Sequence, residues 1–426
     1  MKKLILSLII SVSLAGMAFS ESIFAHRFFE VKLNVPVSAS NNIMGLTEIF
    51  QKTVTVDLPK IADEVSLSGG AFIKAQAAPS LSINLDIPNG LILGFNAGAE
   101  ADVSLGLSKD IFEFIGHGNE GMGTNFTQKT TNTYADLFAQ ASMTGGWNGK
   151  KSRIAVTATG FKALAHVDAG DTYIKIFNNE ETNEFGVEAK VDAKLYTSTD
   201  INEGFSDIQA FIPFAGTGTG FDLSADVQRD LFRFLTVGAK ARIPIVPSKL
   251  SMCSTVSESF NFSTSFDELM NGSSEDGNTT TDGDNTSGST GDEEKSMLSA
   301  FTKLDKPYEI HRPLKLGVSA NFHPFGTLLT TSGYLGIGVR HPFAKDTSET
   351  NFYVDYSVAG RLSLWNVLSF ELSHSYYDQI FKNEVALALN IRLIEVDAGV
   401  SFTSASFAQS FTGAGLGAFV TVAVGF

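Results

Sequence analysis

The sequence predicts an all-β chain whose strands close into a transmembrane antiparallel barrel of roughly 14–16 strands, with one or two short helices in plug or rim segments. Three observations predict it. The first is the stretch Leu81 to Gly106. Leu81, Ile83, Leu85 and Ile87 alternate with Ser82, Asn84 and Asp86. After Pro88-Asn89-Gly90, Leu91, Leu93, Phe95, Ala97, Ala99, Ala101, Val103 and Leu105 alternate with Gly94, Asn96, Gly98, Glu100, Asp102 and Ser104. Only a strand sends every second side chain to the same face. Asn-Gly tolerates the positive φ of a tight turn, so the two runs are expected to pair as a hairpin. The second observation is composition: 35 Phe and 39 Gly against 18% charged residues, as an apolar outer face and a polar inner face would give. The third is that no window after Ser20 holds the ~18 unbroken apolar residues of a membrane helix, so the mature chain crosses a membrane as strands or not at all.

From the start of the chain, Lys2 and Lys3 precede the apolar run Leu4 to Met17, and Ala18-Phe19-Ser20 supplies small residues at a cleavage site. Residues 1–20 therefore read as a secretory signal peptide. Residues 21–70 form an N-terminal strand and helix segment, read as first strands or a plug. There Phe29, Val31, Leu33, Val35 and Val37 alternate with Glu30, Lys32 and Asn34, and Ile43 to Lys52 has one apolar helical face. Residues 71–253 carry the first part of the barrel. The long strand at Leu81 keeps its phase back through Ala77, Ala75, Ile73 and Ala71, about twice the usual globular strand length. Ser108 is placed to cap a second short helix containing Ile111, Phe112, Phe114 and Ile115. Further strands show Phe185, Val187, Ala189, Val191, Ala193 and Leu195 opposite Glu188, Lys190, Asp192 and Lys194. Asp222 and Asp226 lie opposite Leu223, Ala225 and Val227, and Lys240 and Arg242 opposite Val237, Ala239 and Ala241.

Residues 254–299 break the composition and read as a disordered acidic extracellular loop. Asn271 to Lys295 has no aromatic or apolar residue and cannot offset its ordering entropy by burial. Residues 300–426 resume the strands. The phase slips at Leu393-Ile394, marking a bulge or tight turn, and Leu416, Ala418, Val420, Val422, Val424 and Phe426 end the chain.

The net charge of −15 argues against nucleic acid, which needs a basic face. Between Asp267 and Lys295 nine acids and one base, a balance of −8, account for over half of it. Cys253 is the single cysteine, so there is no disulfide or thiol-metal cluster, and no pair among the seven His has metal-ligand spacing. No catalytic elbow or phosphate loop occurs, and the expectation is a protein without enzymatic activity, metal or cofactor.

The signal peptide, together with alternate apolar residues leading back from a terminal Phe, resembles the assembly signal of bacterial outer-membrane proteins. The resemblance implies that barrel-assembly machinery reads Val420, Val422, Val424 and Phe426. The Gly usual further back in that signal falls at Thr421 or Gly417. The overall layout resembles spirochaetal outer-membrane barrels, some grouped with long-chain fatty-acid transporters, although Asn41-Asn42-Ile43-Met44-Gly45-Leu46 stands where the transporters carry Asn-Pro-Ala. That likeness implies an outer-membrane location, outer-membrane lipid as a partner, and hydrophobic-compound uptake as one function.

From the residues themselves, two functions lead. One is a passive channel or uptake barrel for small solutes through a polar lumen. Its lumen-facing charges are expected to be Glu100, Asp102, Glu188, Lys190, Asp192, Lys194, Asp222, Asp226, Lys240, Arg242, Arg361 and Arg392. The other is a surface adhesin or antigen whose non-conducting barrel displays the acidic loop.

Overall fold

The computed structural model describes residues 27–41, 43, 58–67, 70–109, 112, 125–129, 133–169, 172–179, 184–199, 218–265, 301–340, 342–343, 351–377, 380–404, 406–411 and 415–426. Period-two patterning gives almost every described segment its form. In β4 (Leu91–Ser108), Leu105 is 53% exposed while the neighbouring Ser104 is 0% exposed. Water-averse side chains point away from the molecule and polar ones into it, the reverse of a soluble fold.

The wall begins with β1 (Phe29–Asn41), so this segment is a first strand. It pairs antiparallel with β2 (Gly70–Ala77) and β3 (Ser80–Asp86) in one continuous register, Val37 opposite Ala77 and Asn34 opposite Ser80. These are halves of the single long strand read from the sequence, broken where Pro79 lacks an N–H for the ladder. The Pro79 carbonyl still accepts from Ala99 N–H at 3.0 Å. Then β4, β6 (Tyr134–Asn148), β7 (Ser152–Asp168), β10 (Gly220–Phe232), β11 (Leu235–Val246), β14 (Leu314–Phe322) and β15 (Leu329–Arg340) follow around the ring. β16 (Asn351–Leu364), β17 (Leu368–Tyr377), β18 (Ile380–Ile391), β19 (Ile394–Ser404) and β20 (Gly415–Gly425) complete it, and β20 pairs back onto β1. With β2 and β3 counted together, the result is a closed antiparallel barrel of 14 strands.

One end of the barrel carries only short turns. At 87–90 Gly90 N–H donates to the Ile87 carbonyl at 2.9 Å, with Asn89 at φ 55° after Pro88. At 365–366 both central residues have positive φ, 52° and 56°, and Val367 N–H closes onto the Leu364 carbonyl at 3.0 Å. This mirror-image turn matches the twist of its flanking strands. The phase slip at Leu393-Ile394 is likewise a turn, entered through Arg392 at φ 53°.

The other end carries the long connections, and these build a second structure. β5 (Asn125–Lys129), β8 (Tyr173–Asn179), β9 (Glu184–Thr197), β12 (Ser248–Ser265) and β13 (Thr302–Ile310) pair in that order as an extension sheet. It joins the wall where β9 pairs with the far end of β7. Two expectations change here. The Phe185 to Leu195 strand is not part of the ring, because its long partners are β8 and β12 from the loops. Ser254–Ser265 is strand rather than loop, hydrogen-bonded along the length of β9, while residues 266–300 lie outside the described residues.

A helix, α1 (Leu58–Leu67), lies between β1 and β2 with Ala62 and Val65 fully buried, and a short 3₁₀ turn, Gln409–Phe411, lies between β19 and β20. Of the expected helix at Ile43 to Lys52, only Ile43 is a described residue. Ser108 is the last residue of β4, and the described residues that follow it, Lys109 and Phe112, are helical; the rest of the stretch to Ile115 lies outside the described residues.

Candidate functional site

The polar inner face is concentrated toward the long-loop mouth. Glu100 and Asp102 alternate with outward Ala99, Ala101 and Val103 on β4, and Asp222 alternates with outward Leu223 on β10. Arg312, between β13 and β14, reaches both strands: Nη2 lies 2.5 Å from Glu100 Oε2 and Nη1 3.1 Å from Asp222 Oδ2. β6 and β7 separate β4 from β10 in the ring, so this bridge crosses the lumen instead of following the wall. Its guanidinium also sits over the Phe161 ring, 5.6 Å from the centroid.

A second crossing lies beside it. Arg340, the last residue of β15, places Nη2 3.2 Å from Asp102 Oδ2 and Nη1 3.8 Å from Asp136 Oδ2. Between β15 and β4 stand β6, β7, β10, β11 and β14, so Arg340 joins nearly opposite walls. The same guanidinium stacks over Tyr134 at 3.9 Å, a cation–π contact in a desolvated place. Asp136 in turn meets His166 Nδ1 at 2.7 Å. His166 stacks on Tyr308 (5.0 Å, 13°) and Tyr308 on Tyr196 (4.3 Å, 19°), which ties β7 to β13 and β9.

Above these bridges an apolar cluster of Phe138, Phe161, Ala163, Leu250 and Ile310 packs where the root of the β12–β13 hairpin meets the wall. Ser248 Oγ holds that root, accepting from Ala163 N–H at 2.9 Å and donating to the Gly218 carbonyl at 2.6 Å. The long-loop hairpin thus supplies both the apolar cap and, through Arg312, the main crossing charge.

Other inner-face charges pair between neighbouring strands and leave the lumen uncrossed. Asp226 and Lys240 are directly opposite and 3.1 Å apart, and Arg361 and Glu371 are directly opposite and 2.6 Å apart. Arg242 Nε donates to the Pro313 carbonyl at 3.1 Å. Arg27 joins Glu395 at 3.4 Å near the barrel's closure.

Five expected lumen charges lie elsewhere. Glu188, Lys190, Asp192 and Lys194 are on β9 in the extension sheet. Glu188 accepts from Tyr173 Oη at 2.6 Å and lies 3.6 Å from Lys175, while Lys190 and Asp192 pair at 3.4 Å. Alternation reports a two-faced sheet without saying which sheet, and that is why this ladder read as lumen. Arg392 is exposed in its turn at the opposite end, where positive φ takes it out of the strand. Conversely, Arg312 and Arg340 escaped sequence reasoning. One stands between strands and the other at a strand's end, so neither belongs to an alternating run long enough to assign a face.

Val420, Val424 and Phe426 are exposed on the outer face of β20, and Val422 half-buried there. Phe426 exchanges both backbone hydrogen bonds with Phe29 (3.0 and 3.1 Å), its ring 5.9 Å from that of Phe29. Cys253 is buried on β12, and burial pushes its thiol above the usual range, so it stays protonated at neutral pH.

No protein-family model matches the chain, and no curated protein matches it. Solved structures do. The chain is similar to the toluene transporter TodX of P. putida at 9% identity, over 95% of this chain and 91% of that one, with a TM-score of 0.46. It is similar to the Ralstonia pickettii toluene transporter TbuX at 9% identity, over 94% and 90%, with a TM-score of 0.42. The translocator domain of the autotransporter NalP from Neisseria meningitidis matches at 6% identity, over 100% and 94%, with a TM-score of 0.38. Likeness this distant assigns no role to any residue.

Proposed function

We propose that the chain is a bacterial outer-membrane β-barrel that acts as a passive channel or uptake protein for small molecules, with a polar lumen latched near its long-loop mouth. The membrane part rests on the wall: Leu105, Leu335, Phe352, Val358 and Leu387 stand half exposed or more around it, an apolar surface that water would not tolerate. The observation that carries the transport part is the pair of arginines reaching across the lumen. Burying charges costs more than their mutual attraction recovers, so a barrel that only anchors has no use for them, whereas polar solutes need a charged lining. The network is also incomplete. Asp222 Oδ1 and Arg312 Nε are buried with no hydrogen-bond partner, which leaves the crossing poorly satisfied and able to rearrange.

The test is conductance of the refolded mature protein in planar bilayers. Wild type is expected to conduct in brief, infrequent openings, and Arg312→Gln/Arg340→Gln to remain open, raising mean current several-fold. Circular dichroism and unheated gel mobility check that each variant is folded. Silence of both proteins, once both are inserted, overturns the channel reading.

Two specific observations favour other readings. The five-strand extension sheet offers a surface for an adhesin or antigen, the function that an inserted but silent barrel would leave in front. A shallow apolar trough of about 500 Å³ on the outer wall, floored by Ala225, Ala239 and Ala241, suits hydrophobic-compound uptake, which predicts accumulation of apolar solutes without ion current.

A further inference from the structure

Charge at the short-turn end is one-sided. The turns at 87–90, 149–151, 233–234, 323–328, 365–367 and 392–393 contain Lys150, Lys151, Arg233 and Arg392 and no Asp or Glu, in a chain of net charge −15. Two of these turns form one patch. β7 and β10 are neighbours, and Asp230 N–H donates to the Lys151 carbonyl at 2.8 Å, locking the 149–151 turn beside the 233–234 turn. Arg229 belongs to the same patch. It is opposite Ser152 in register and two residues below Val227, on the outward face where the apolar band ends.

Lys150, Lys151, Arg229 and Arg233 are all exposed, and none forms an ion pair among the described residues. Of the acids near them, Asp230 already accepts a hydrogen bond from Thr236 Oγ1 at 2.6 Å, and Asp86 is engaged by Asn148 at 2.9 Å and Arg153 at 3.5 Å. The patch is also flanked by exposed aromatic rings. Phe232 stacks on Phe234 at 5.4 Å, and Phe234 meets Phe322 edge-on at 5.6 Å. Trp147, 57% exposed, lies against the 149–151 turn.

We infer that this patch binds the phosphate-bearing headgroups of anionic lipids in the leaflet at the short-turn end. Four unpaired bases set at the edge of an apolar band can lay their alkyl stems on that band and present their charges at headgroup level. The guanidinium groups of Arg229 and Arg233 match phosphate geometry in two-point contact. The aromatic neighbours fix the depth of the site, since such rings settle at the interface. The 365–367 turn, with Trp365 88% exposed and no charged residue in it, sits at the same end as a built-in comparison.

The inference rests on the membrane-spanning reading, and the experiment separates the two. Tryptophan occurs at two positions, so Trp365→Phe isolates Trp147 and Trp147→Phe isolates Trp365. Each variant of the mature chain is refolded into phosphatidylcholine vesicles containing either brominated phosphatidylglycerol or brominated phosphatidylcholine, and tryptophan quenching is read against mole fraction. Trp147 is expected to be quenched at several-fold lower mole fraction of the anionic lipid, and Trp365 equally by both. Lys150→Gln/Lys151→Gln/Arg229→Gln/Arg233→Gln, all at exposed sites, should remove the difference at Trp147. Equal quenching of Trp147 by the two lipids, the same anionic preference at Trp365, or a preference that survives the fourfold change overturns the lipid site. So does erasure of the preference by inorganic phosphate when chloride of equal ionic strength leaves it intact, because the patch is then a site for free phosphate. No quenching of either tryptophan by any brominated lipid overturns the membrane reading itself.

Discussion

Leu387 and Val191 look alike in the sequence, each an apolar residue in the middle of an alternating run. In the structure Leu387 stands outward on ring strand β18, whereas Val191 lies on β9 beyond the ring. The two sites should respond differently to charge. Leu387→Arg places a cation in the apolar band and is expected to cost ~2–4 kcal/mol, as lipid-facing charges do near the bilayer midplane. Val191→Arg is an exposed substitution in the extension sheet and should change stability by about 0.5 kcal/mol or less. Denaturant unfolding of both variants from lipid vesicles checks the contrast, and equal costs would put β9 back in the membrane. At this scale Glu100, Asp102, Asp222, Asp226, Lys240 and Arg242 each stand in a run that alternates with apolar residues, which lets the sequence assign them a face. Arg312 and Arg340 do not, because a residue between strands or at a strand's end has no such run to orient it.

Strands differ in how much their own pattern says. β3 and β4 carried everything needed for a hairpin: alternation on both sides of a turn whose Asn89 accepts positive φ. β9 and β12 carried alternation without an address, and the long connections between ring strands decided it. Those connections all leave from one end, and long loops on the outer side with short turns on the inner side are the usual barrel asymmetry. The sidedness has a consequence for the Asn271 to Lys295 segment, which has no apolar residue to pack. Protease added to intact cells is expected to cut there first, and deleting the segment should leave the barrel's heat resistance nearly unchanged. Protection in intact cells with cleavage only after lysis would reverse the topology.

For the molecule as a whole, closure is the decisive contact, and it joins residues from the two ends of the described chain. β1 meets β20, and Phe426 completes the seam through two backbone hydrogen bonds and ring contacts with Phe28 and Phe29. Phe426→Ala keeps the backbone bonds and removes the ring. Refolded in vitro, it is expected to lose about 0.5–1.5 kcal/mol, in the range of an aromatic pair contact. In cells the fall in correctly assembled protein should be much larger than that loss explains, if assembly machinery reads this strand. Matching losses in the two settings would reduce the terminal Phe to a packing residue.

Local pattern was enough for the class of fold, the export of apolar side chains to the outer face, most ring strands and the tight turns. Each of these depends on residues within a few positions of one another, where backbone geometry and side-chain alternation act directly. Tertiary structure alone decided that β5, β8, β9, β12 and β13 leave the ring for a sheet of their own. It alone decided that two arginines with no strand pattern cross the lumen to Glu100, Asp222, Asp102 and Asp136. The physical reason is that an edge strand accepts any partner of suitable length. Which partner arrives, and which side chains meet across the space that results, is set only when the ring closes.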